Sequence, residues 1–93
     1  MKVKELTVWP GKKLSLQRHE NRSERWMVSV GVATVKLGVY HDDLMEYTLK
    51  VLNTIEIPAN RWHQLINNTN EALKILEIQY GNECVEEDIE RCL

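Results

Sequence analysis

The chain has 93 residues, 43% of them hydrophobic and 28% charged, which is enough for one globular domain and excludes a two-domain enzyme. Twelve Lys and Arg stand against fourteen Asp and Glu, a net charge of −2 with the signs interleaved, which argues against a nucleic-acid partner. The most apolar run, Met27 to Val35, is interrupted by Ser29, Gly31 and Thr34 and falls far short of the roughly 20 residues that cross a bilayer.

The N-terminal stretch has no apolar segment of signal-peptide type, so a cytoplasmic location without membrane association is expected. In a reducing compartment Cys84 and Cys92 stay as thiols. A domain this small buries only about 60 to 65% of its unfolded surface, so barrel closure, a bound metal or dimerisation is expected to add stability.

Taken in chain order, runs rich in Val, Ile, Leu, Thr and Trp predict strands at Val3 to Val8, Leu14 to His19, Trp26 to Val30 and Val32 to Val39. Further strands are predicted at Met45 to Leu49, Thr54 to Ile57, His63 to Asn67 and Leu73 to Gln79. The breaks between them carry turn residues, among them Pro10-Gly11, Gly31, His41-Asp42-Asp43, Pro58-Ala59-Asn60 and Asn67 to Asn70. Many short strands in one small chain predict an all-β barrel or double-sheet jelly roll spanning residues 1–93 as a single domain. Only Cys84 to Leu93 reads as a short helix, with Glu86, Glu87 and Asp88 at its start and Arg91 near its end.

Strand alternation puts Gln17 and His19 on one face of their strand, opposite Leu14 and Leu16. In the seventh strand His63, Leu65 and Asn67 share a face and Trp62 points the other way. Asn67 is expected to close a turn through its side chain, and the tryptophans to serve packing or an interface rather than sugar stacking.

Two spaced strings combine these residues. The first runs Gly11, five residues, Gln17, one residue, His19, four residues, Glu24, six residues, Gly31. The second runs Pro58, Ala59, Asn60, two residues, His63, three residues, Asn67. Together they resemble the two motifs of the cupin superfamily, with Gln17 at the first histidine position, Asn60 in place of a glycine and Leu52 in place of the second motif's opening glycine.

Within that superfamily the segment Leu14 to His19, followed by Arg22, Glu24 and Trp26, resembles the C-terminal domain of type II mannose-6-phosphate isomerases. Lys2 to Leu6, Ile57-Pro58, Trp62-His63, Glu77-Ile78-Gln79, Gly81, Glu87-Asp88-Ile89 and Arg91 extend the match over essentially the whole chain. The resemblance implies a cupin barrel, a homodimer through sheet edges and one divalent metal held by Gln17, His19, Glu24 and His63. Zinc is the first expectation for that metal, with manganese, iron or nickel as other fits to a mixed nitrogen and oxygen set. It also implies an isomerase that uses the metal as a Lewis acid on a small polar or phosphorylated sugar, with Arg22 at a family position as the first candidate to bind substrate; Arg61 is a further candidate cation. No general base is assigned.

The sequence departs from the family at Glu20, Asn21 and Arg25, where relatives carry histidines, and it lacks their Tyr-Gly-Arg continuation. Nothing in it resembles the Gly-rich loop of the nucleotidyltransferase domain that bifunctional members carry. Two other readings therefore stay open: a non-catalytic sugar- or anion-binding cupin, and a metal-dependent oxygenase or lyase on the same ligands.

Overall fold

A computed structural model describes residues 1–81, 84–85 and 87–92. The strands are β1 (Lys2–Val8), β2 (Leu16–Arg18), β3 (Arg22–Val30), β4 (Ala33–Tyr40), β5 (Asp43–Leu49), β6 (Thr54–Ile57), β7 (Trp62–Ile66), β8 (Leu73–Gly81) and β9 (Glu90–Cys92). They form two antiparallel sheets, ordered β1-β8-β3-β6 and β5-β4-β7-β2-β9. This is the all-β, double-sheet architecture expected of a cupin. Among the described residues no helix is long and apolar enough to cross a membrane, and both cysteines are free.

The eight predicted strands are all present, with shifted ends. β3 begins at Arg22 rather than Trp26, and β2 keeps only three residues of the expected Leu14 to His19. Breaks fall where backbone geometry demands them. Gly31 has φ +87°, and a Cβ there would lie 2.6 Å from the Ala72 carbonyl oxygen, so glycine alone fits the turn between β3 and β4. Asn60 adopts φ 64° after Pro58, the left-handed conformation that Asn tolerates. Leu52 adopts φ 74° in an exposed turn, a conformation that disfavours a side chain with a Cβ. Asn67 is fully buried and closes its turn, donating through Nδ2 to the carbonyls of Val8 and Glu71 and accepting from the Thr69 N–H and hydroxyl.

The C-terminal helix expected over residues 84–93 does not form, although Glu86 and Leu93 lie outside the described residues. Glu90–Cys92 is instead an edge strand, pairing Leu16 with Cys92, Gln17 with Arg91 and Arg18 with Glu90. Tertiary partners override the local charge pattern. The Asp88 carboxylate accepts from the backbone N–H groups of Glu20 (3.0 Å) and Asn21 (2.8 Å), and the Arg18 guanidinium clamps both Glu90 oxygens (2.7 and 3.0 Å). The acidic residue that reads as a helix cap thus caps a distant loop.

The core lies between the sheets. Val8, Trp26, Val28, Ile57, Leu73 and Ile75 come from one sheet, and Ala33, Val35, Leu49 and Leu65 from the other. Along β3 the inward row reads Arg22, Glu24, Trp26, Val28, and along β8 it reads Leu73, Ile75, Glu77, Gln79. The two antiparallel rows change from apolar to polar at the same end, because Glu24 pairs with Gln79 and Val28 with Ile75. One end of the barrel is therefore packed hydrocarbon, and the other is a polar cavity.

Candidate metal centre

The cavity is lined by both sheets, with Lys4 and Leu6 from β1 and Leu14, Gln17, His19, Arg22, Glu24, Trp26, His63, Glu77 and Gln79 around it. Pairing of β2 with β7 sets Gln17 opposite His63, and the loop after β2 brings His19 alongside. β3 supplies Glu24 from the facing sheet. Residues far apart in the sequence thus converge: one ligand atom each from His19, Glu24 and His63 lie within 4.8 Å of one another. Glu24 Oε2 is 3.4 Å from His19 Nε2, and Glu24 Oε1 is 3.8 Å from His63 Nε2. Gln17 lines the same cavity, its amide nitrogen donating to the Ser15 carbonyl at 3.4 Å.

The donor chemistry fits a divalent cation. His19 Nδ1 lies 2.5 Å from the Asp88 carbonyl oxygen and His63 Nδ1 lies 3.0 Å from that of Arg61. A carbonyl only accepts, so in each ring Nδ1 carries the proton and Nε2 turns its lone pair toward the cavity. This outer support is the arrangement that orients imidazole ligands. Burial holds the His63 pKa down to about 4, against the opposing pull of the Arg61 carbonyl, which keeps the ring neutral at pH 7. Two neutral imidazoles, one carboxylate and the Gln17 amide would leave a bound divalent ion with a net charge of about +1.

Arg22 is placed differently from a surface phosphate clamp. It is 6% exposed, with Nε 3.1 Å and Nη2 3.0 Å from Glu24 Oε2 and Nη2 3.0 Å from His19 Nε2. Its guanidinium is the counter-charge of the buried Glu24 carboxylate. It also borders a second cleft formed with Glu20, Asn21, Ser23, Ala59 and Gly81. Arg61 contributes its backbone carbonyl to His63, and its side chain is not part of the cavity lining. Trp26 is core and site together: its indole N–H donates to Glu24 Oε1 at 3.1 Å, and its ring meets His63 edge-on. Trp62 packs outside the cavity beneath Arg18 and beside His41, while Trp9 is exposed.

Glu77 and Gln79, assigned no role from sequence, also belong to the cavity. Glu77 and Gln79 are buried, and Gln79 Nε2 donates to Glu77 Oε1 at 2.5 Å. Burial, with the Glu24 charge next, pushes the Glu77 carboxyl up from its ordinary value despite the Gln79 amide, Arg22 and Lys4. The signal for both was the alternation of β8, where they continue the inward row of Leu73 and Ile75. Asp88, whose backbone carbonyl holds His19 Nδ1, also carries no site role in the sequence reading. Slight burial raises its pKa, but the Glu20 and Asn21 N–H groups outweigh this and hold the carboxyl below its usual range.

The family model described as mannose-6-phosphate isomerase C-terminal matches residues 1–92. The chain belongs to this family. Among curated relatives, the alginate biosynthesis protein AlgA of Pseudomonas aeruginosa is 39% identical over 89 residues, 96% of this chain and 18% of that protein. A mannose-1-phosphate guanylyltransferase of Salmonella muenchen is 37% identical over 89 residues, again 96% of this chain and 18% of the relative. The chain thus spans less than a fifth of the length of these relatives. In fold, a dTDP sugar isomerase of Desulfovibrio desulfuricans superposes with a TM-score of 0.85 at 17% identity, covering 99% of this chain and 64% of that one. This member of the mannose-6-phosphate isomerase C-terminal family is therefore a cupin-fold domain.

Proposed function

We propose that this domain binds one divalent metal, zinc first, through Gln17, His19, Glu24 and His63, and isomerises a phosphorylated sugar between aldose and ketose forms. The observation that carries this reading is the pair of buried imidazoles whose protonated Nδ1 atoms are held by carbonyls, with both Nε2 atoms facing the Glu24 carboxylate. When bound, the ion would supply Lewis acidity to a sugar oxygen. The chain's own groups do the rest. His63 stays a neutral donor, Trp26 orients Glu24 by its indole N–H, and the apolar core below excludes water from one side. Arg22, which borders both the cavity and the adjoining cleft, is the cation proposed to meet a phosphate. The family description supports the isomerase reading, while the guanylyltransferase name of the Salmonella relative belongs to a protein of which this chain matches 18%.

Elemental analysis of the purified protein with a His63→Ala control, followed by a coupled assay from mannose 6-phosphate to fructose 6-phosphate, tests the proposal. One metal per chain, lost in His63→Ala, and turnover above that control are expected. No stoichiometric metal refutes the ligand set. Metal without turnover supports the non-catalytic sugar-binding reading, which the replacement of family histidines by Glu20, Asn21 and Arg25 favours. Redox-active iron in the site would instead favour an oxygenase. A second copy of the chain is the partner proposed for the free edge of β5, where Val39, Tyr40, Met45 and Tyr47 of the β4–β5 hairpin are exposed.

A further inference from the structure

The inward row of β8 carries Leu73 and Ile75 into the apolar core and then Glu77 and Gln79 into the wall of the cavity. Gln79 is 1% exposed and Glu77 is 5% exposed. Positions buried this deeply take apolar side chains readily, and the polar groups found there are as a rule fully hydrogen-bonded. This pair is not. Gln79 Nε2 donates to Glu77 Oε1, but Gln79 Oε1 has no partner among the described residues. The neighbouring polar row is satisfied within itself, because Arg22, Glu24 and Trp26 of β3, the strand beside β8, bond one another and His19. β8 therefore keeps one unused acceptor, Gln79 Oε1, buried in the wall of the cavity that also holds the candidate metal ligands.

We propose that Glu77 and Gln79 form a hydroxyl-recognition subsite for a polyol, which is a sugar in the reading above on which this inference rests. One substrate hydroxyl donates to Gln79 Oε1, and a neighbouring hydroxyl hydrogen-bonds to the Glu77 carboxyl. An amide beside a carboxyl suits alcohols and repels phosphate, so the sugar ring turns its hydroxyls to β8 and its phosphate away from it. Both groups are positioning residues for substrate binding.

The test uses the full chain with zinc present, comparing wild type, Gln79→Leu and Glu77→Gln by calorimetric titration. The probes are mannose 6-phosphate, free mannose and inorganic phosphate. Gln79→Leu, close in volume, is expected to weaken both sugars by roughly two- to tenfold, the worth of one neutral hydrogen bond. It leaves inorganic phosphate unchanged. Unchanged sugar affinity, or an equal loss for inorganic phosphate, overturns the subsite. Mannose bound through Gln79 while mannose 6-phosphate is not keeps the subsite and refutes the sugar-phosphate reading. Mannose 6-phosphate bound equally by all three proteins refutes the subsite alone, and binding of neither sugar by wild type refutes it too. Should Gln79→Leu fail to fold, Glu77→Gln carries the same comparison.

Discussion

Replacing Arg22 by Met should be among the most damaging single changes in this domain, and the cost follows from where the guanidinium lies. The Arg22 and Glu24 side chains are 5% and 3% exposed, and Arg22 makes two contacts of 3.0 and 3.1 Å with Glu24 Oε2. Solvent cannot screen a charge left alone there. Removing one partner of a buried pair costs about 3 to 5 kcal/mol, because the remaining carboxylate stays desolvated with the Trp26 indole as its one remaining donor among the described residues. A chain of this length has a total stability of about 5 to 14 kcal/mol. At about 4 to 8 °C per kcal/mol, even the lower cost lowers the melting temperature by about 12 to 24 °C. The assay is thermal or urea denaturation at pH 7 with a chelator present. The double variant Arg22→Met with Glu24→Leu should recover most of the loss, since an apolar pair can replace a buried ion pair at little cost. A single variant within about 1 kcal/mol of wild type would refute the charge assignment. So would a double variant no better than the single.

With metal chelated, His63 also makes stability depend on pH. Its folded pKa of about 4 lies below the ordinary 6.5, so as pH falls the unfolded chain takes up the proton first. The contribution is full above about pH 6.5 and is lost between there and pH 4, by about 3 kcal/mol at 1.36 kcal/mol per unit. Glu77 acts in the opposite sense, because its raised folded pKa lets the native state bind a proton first and gain stability as pH falls. The effect of His63 is therefore read as the difference in urea midpoint between wild type and His63→Gln across this range, and identical pH profiles would contradict it. For the β5 edge, light scattering at micromolar concentration should give a dimer mass, and Met45→Lys with Tyr47→Lys should return a monomer. A monomer mass for wild type removes that interface.

Strand positions were legible from the sequence because period-two alternation and turn residues act locally. Val3 to Val8, Thr54 to Ile57 and Leu73 to Gln79 needed only their own side chains and flanking breakers to be read as strands, and all three occur. The spacing of Gln17, His19, Glu24 and His63 was legible too, and these four line one cavity. The tail was not, because the acidic start that favours a helix at Glu87 and Asp88 is outcompeted by the N–H groups of Glu20 and Asn21, residues remote in the chain. Nor was the position of Arg22, whose partners Glu24 and His19 lie within three residues but become buried only when the sheets close over them. Glu77 and Gln79 show the same division. Their alternation with Leu73 and Ile75 put them on the inward face, but the sequence does not say at which end of that face the core stops. The antiparallel register of β3 with β8 decides it, because pairing Glu24 with Gln79 gathers the polar ends of both rows on one side. Local periodicity thus determined which residues point inward, and the closing of two sheets determined which of those share a cavity.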